Sequence, residues 1–84
     1  KHISNSKIKD YTIKYNANGG SGAPSNQVKE HNKNITLSTS KPTRTGYTFV
    51  NWNTSSAGNG TSYSTGATYS GNSDITMYAQ WRRN

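Results

Sequence analysis

A small domain that is mostly β is the fold class this sequence predicts, on three observations. The stretches 11–15 and 75–81 alternate strictly: Tyr11, Ile13 and Tyr15 share one side, and so do Ile75, Met77, Ala79 and Trp81. That period of two is the mark of a half-buried strand. Nine of the 84 residues are aromatic, and Tyr47, Phe49 and Trp52 fall within six positions, so the core is expected there. No segment carries the apolar spacing of a three-turn amphipathic helix. One short helical turn, near 39–45, is the only helical candidate, which makes the class α+β with little α.

Taken in order, residues 1–10 are polar, with only Ile3 and Ile8 to bury, and read as a linker or expression remnant. The domain itself spans 11–81. After the first strand, 16–25 is a turn-rich loop in which Asn18-Gly19 favours a type I′ turn. Residues 27–31 return as a second strand with Val28 inward, leaving Lys14, Lys29 and His31 on the open side. Asn32-Lys33-Asn34 interrupts it, and the strand resumes with Ile35 and Leu37 inward.

Pro42 to Asn53 is the densest stretch. Pro42 suits the start of a turn and Gly46 its close. Tyr47 and Phe49 then share one face and Val50 and Trp52 the other, so the apolar phase slips at Val50. A bulge at Val50–Asn51, or burial on both faces, accounts for the slip. Tyr63 and Tyr69 punctuate a Ser/Thr/Gly segment and cap the core edge, with stacking on a sugar or base as the alternative. The last strand ends at Trp81, and 82–84, Arg-Arg-Asn, reads as a basic tail. The expected core is thus Tyr11, Ile13, Tyr15, Leu37, Tyr47, Phe49, Trp52, Ile75, Met77 and Trp81.

Composition narrows the chemistry. With no cysteine there is no disulfide framework, thiolate metal site or cysteine nucleophile. A small secreted domain without disulfides fits a bacterial surface better than an animal one. Ser, Thr and Asn supply 34 residues, as suits an extracellular β module. Nothing approaches the apolar run of a membrane span, so no insertion is expected. There is no export signal either, so an exported domain would be a piece of a longer precursor.

The acids are only Asp10, Glu30 and Asp74, none beside another in a catalytic spacing, and His2 and His31 form no metal-ligand pattern. Neither a phosphate-loop nor a nucleophile-elbow motif occurs. No catalytic residue, metal or cofactor is therefore assigned. An enzyme would need Glu30, Asp74 and a histidine gathered in one cleft.

The ordered pieces resemble the Listeria–Bacteroides repeat, also called the internalin B-repeat. The carriers are Tyr11-Thr-Ile-Lys-Tyr15, Asn18-Gly19-Gly20, Gly22-Ala23-Pro24 and Leu37-Ser38. They continue with the run Pro42 to Phe49, Trp52, Thr54, Tyr63, Gly66, Tyr69 and Met77 to Trp81. Asn16 stands where the family commonly has Asp, and Asn51 where it usually has Gly. The resemblance implies a β-grasp-like (ubiquitin-like) mixed sheet with a short helical element on one face. It also implies a non-enzymatic repeat of a Gram-positive surface protein, secreted or wall-attached, acting in adhesion, host contact or spacing. Its partners would be a surface protein or glycan, and neighbouring repeats.

The net charge of +7 raises an alternative, a polyanion-binding domain for a sulfated glycan or anionic wall polymer. Its candidate residues are Lys14, Lys29 and Lys33 on the first hairpin, together with Arg44. Plain solubility would explain the same charge. Nucleic acid is disfavoured, because Tyr and Trp fall at core phase instead of forming an exposed aromatic row.

Overall fold

The computed structural model describes residues 9–84, so most of the expected linker lies outside the described residues. Asp10 already belongs to the first strand. The elements are β1 (Asp10–Asn16), β2 (Gln27–Glu30), β3 (Ile35–Thr36), β4 (Tyr47–Asn53), β5 (Ser62–Tyr63), β6 (Thr68–Tyr69) and β7 (Ile75–Arg83). Five of them form one mixed sheet in the order β2-β1-β7-β4-β5; β3 and β6 form a separate antiparallel pair. The first and last strands, β1 and β7, run parallel at its centre, and the other neighbours are antiparallel.

Alternation in the two longest runs decides which face is covered. Tyr11, Ile13 and Tyr15 of β1 are buried, as are Met77 and Ala79 of β7. Tyr15 sits opposite Met77 in register, so both point to the same side. Trp52 is fully buried at the centre. Aromatic rings meet edge-on around it: Tyr15 at 4.9 Å, Phe49 at 5.1 Å, and Trp81 against Phe49 at 5.8 Å. This is the geometry ring quadrupoles favour. Leu37 and Tyr69 close the core from the β3–β6 side, and Tyr63 packs on Tyr69.

The slip in β4 is a bulge. Phe49 pairs with Trp81 and Asn51 with Gln80, leaving Val50 as the extra residue. Phe49 and Trp52 therefore face the core together, and Val50, expected to share the face of Trp52, is 52% exposed. Neither Asn51 nor Val50 needs a positive φ for this; among the described residues Asn18 and Asn32 are the non-glycine ones that adopt one.

Four further expectations need correction. Among the described residues there is no helix. The stretch 39–45 is irregular, enters a turn at Thr45, and is tied to the glycine loop through Thr43 and Ser21, whose amides and carbonyls pair at 2.8 Å in both directions.

Val28 is 61% exposed and Lys29 fully buried, the reverse of the predicted faces. In the β1–β2 register Lys29 sits opposite the inward Tyr11, and a one-residue slip swaps the faces of a strand. The strand expected to resume at Ile35 instead leaves the sheet as β3 and pairs with β6. Finally, Arg82 and Arg83 form no tail: β7 runs on through them, opposite Thr48 and Tyr47.

Candidate ligand groove

One end of the sheet carries a groove of about 920 Å³, where the glycine loop, the 41–46 segment and the outer ends of β4 and β7 meet. Its floor is aromatic. Trp81 and Phe49 are half-buried against the core, and Tyr47 continues the row. Tyr47 was expected inside; it lies outside the core cluster, covered by Arg44, whose guanidinium carbon stands 3.9 Å from the ring centre. Such stacking fixes a planar cation at low hydration cost.

The glycine loop reaches this place through a tight turn. Asn18 and Gly19 both have positive φ, and the Gly20 amide donates to the Ala17 carbonyl at 3.0 Å. Both central residues thus have the sign a type I′ turn requires. Asn16 accepts the Asn18 amide at 2.7 Å through its side-chain oxygen. The Trp81 indole N–H donates to the Ala17 and Asn18 carbonyls at 2.9 and 3.1 Å, pinning the loop over its ring. Gly20 lies so close that a Cβ there would fall 2.5 Å from both the Thr43 oxygen and the Trp81 ring. Gly46, at φ +81, lies in the tight turn in which the Tyr47 amide donates to the Arg44 carbonyl at 3.0 Å.

The electrostatics are one-sided. Lys41 and Arg44 line the groove with Ser21, Thr43, Thr45 and Thr48, whose hydroxyl donates to Asn84 Oδ1 at 2.6 Å, and among the described residues no carboxylate lines it. Arg83 stands across from Tyr47 in the β4–β7 register, on the same face. Among the described residues the one ion pair is Lys33–Glu30, at 4.0 Å and far from this end of the chain fold, at the β2 turn.

The three lysines expected on one surface of the first hairpin are dispersed, and the further candidate Arg44 lies apart from them. Only Arg44 reaches the groove. Lys14 is exposed on the other face, beside Asp74 and Thr76 in a small cleft of about 270 Å³. Lys33 is exposed and faces Glu30. Lys29 is enclosed, its ammonium donating to the Glu30 carbonyl at 2.9 Å and to Asn72 Oδ1 at 3.1 Å. Lys41 and Arg83 were not among the expected residues. The alternation of β7, carried two residues past Trp81, would have placed Arg83 on the groove side.

The acids have local roles. Asp74 accepts the Thr12 amide at 2.8 Å, and the His31 ring meets the Tyr11 hydroxyl at 2.9 Å. Among the described residues no three His, Cys, Asp or Glu side chains gather as a metal site would need.

A family profile described as the Listeria-Bacteroides repeat domain matches residues 11–80. The chain belongs to that family. The Listeria-Bacteroides repeat described here is also 36% identical over 81 residues to a protein of Evansella cellulosilytica named "Putative membrane protein". The match takes in 92% of this chain and 12% of that protein, so the repeat spans about an eighth of its relative's length. No solved structure matches the chain. Among the described residues no helix is long and apolar enough to cross a membrane.

Proposed function

We propose that this Listeria-Bacteroides repeat is a non-enzymatic module of an extracellular bacterial surface protein, serving as a spacer or as a contact unit in adhesion. The observation that carries the reading is the family match over almost the whole sheet, with a relative in which the same unit is a small fraction of a longer chain. A compact unit with its aromatic rings packed and its Asp74 engaged by the backbone suits display better than turnover.

The sheet order, with first and last strands parallel at the centre, supports a β-grasp-like description in which irregular chain replaces the helix. A Gram-positive surface setting follows from the family resemblance. The partner would be a surface protein or glycan, or an adjoining repeat.

The test is a module swap in the parent protein, read by attachment of the bacteria to host cells. Deletion is expected to lower attachment. Replacement by an unrelated domain of equal span restores it if the repeat is a spacer and fails to restore it if the repeat makes contact. Attachment unchanged by deletion would overturn the reading.

A further inference from the structure

We infer that the groove between the glycine loop and the 41–48 segment binds an anionic polysaccharide through sulfate or carboxylate groups. It deepens the contact form of the proposed function, and rests on that reading for its setting.

The groove holds Lys41 and a ring-stacked Arg44, with Arg83 across the same tyrosine, and no acid lines it. The Arg44 guanidinium is confined between the Tyr47 ring and Gly19, where a Cβ would lie 3.1 Å from its central carbon. A preorganised planar fork of this kind matches the two oxygens of a carboxylate or sulfate. None of these cations has a carboxylate partner among the described residues, which leaves their charge open to an anionic ligand.

The rest of the lining selects a sugar over an acidic peptide. Peptides commonly bind by adding a strand to a free edge. Here the wall's backbone is already used: Ser21 and Thr43 exchange both bonds, the Tyr47 amide donates to the Arg44 carbonyl, and the Asn84 amide to that of Gly46. What remains available is the hydroxyls of Ser21, Thr43 and Thr45 beside half-buried rings, since the Thr48 hydroxyl donates to Asn84 Oδ1 at 2.6 Å. Hydroxyls that donate and accept, beside an apolar floor, suit a polyhydroxylated ring carrying charge. The volume falls in the ~300–1,000 Å³ range of small-ligand sites, enough for a few sugar units of a longer chain passing through.

The experiment titrates the domain by calorimetry with a heparin hexasaccharide, with trigalacturonate and with a poly-glutamate peptide. Arg44→Gln combined with Lys41→Gln should weaken saccharide binding by about 10-fold or more. Arg44→Lys, which keeps the charge but loses the fork, should weaken it several-fold. Lys14→Gln combined with Lys33→Gln removes the same charge elsewhere and should change it by less than about 2-fold. Amide spectra of each variant verify the fold.

Binding of the hexasaccharide alone identifies a sulfated ligand, and of trigalacturonate alone a carboxylated one. Equal loss in both double variants, no binding of either saccharide, or equally tight binding of poly-glutamate would overturn the inference. Saccharide binding with attachment unaffected by module deletion would instead overturn the surface role and leave the groove assignment standing.

Discussion

At the scale of single residues, Tyr15 and Lys29 show how polar atoms enter this small core. The Tyr15 hydroxyl donates to Gln27 Oε1 and accepts the Ser38 amide at 3.0 Å. Burial of the phenol raises its pKa above the ordinary 10.0, opposed by the Ser38 hydrogen bond. The folded state therefore holds this proton more tightly than the unfolded chain does. The associated stability is complete below pH 10.0 and is lost as pH rises through the raised folded value. Tyr15→Phe is expected to cost about 1–2 kcal/mol at neutral pH. It should also flatten the fall in melting temperature above pH 10.0, and an equally steep fall would remove Tyr15 as its source.

Lys29 was illegible for a plain reason. In a strand whose only apolar residue is Val28, polarity points the wrong way, and only the pairing of Lys29 with Tyr11 reveals the buried face. Its aliphatic stem fills space while the ammonium finds two oxygens. Reversing its charge would bury an anion against those acceptors, so Lys29→Glu reports on folding and not on a surface.

At the scale of elements, the bulge in β4 is the device that gathers the aromatic rings. Without its extra residue the run Tyr47, Phe49, Trp52 would alternate strictly. Deleting Val50 should therefore preserve the fold, at a cost of about 1–2 kcal/mol for the lost bend. Inserting one residue after Val50 should turn Trp52 outward and forfeit about 3–5 kcal/mol of buried indole. Urea titration of the two variants distinguishes them, and a deletion more damaging than the insertion would refute this account.

The phase slip itself was visible in the sequence, as were the two strongly alternating strands and the turn at Asn18-Gly19. The two-residue strands β5 and β6 were not, because so short a run has no measurable period, and for β3 the extended chain at Ile35 was legible but its partner was not. Their positions come from contacts such as Leu37 donating its amide to the Ala67 carbonyl at 2.8 Å. The same holds for the 39–45 stretch. A proline-to-glycine span is compatible with a helical turn until Thr43 is captured by Ser21 from a loop twenty-two positions earlier.

At the scale of the whole molecule, the groove depends on chain ends meeting. Trp81 lies in the last strand, the glycine loop follows the first, and the 41–48 segment comes from the middle. Local pattern could identify the ingredients but not this convergence, which explains why the expected cation set contained one groove member, Arg44.

The parallel pairing of β1 and β7 carries a mechanical consequence. Because the two strands run the same way, β1 begins at one pole of the sheet and β7 finishes at the other. Tension applied at Asp10 and Arg83 pulls along the strands and loads their rungs, from Ile13–Ile75 to Asn16–Tyr78, side by side instead of one after another. Single-molecule stretching through those two points should demand a higher rupture force than stretching through Val28 and Arg83, where β2 can be stripped from its edge rung by rung. A module that meets a hauled chain in this orientation resists as a clasp, not as a zip.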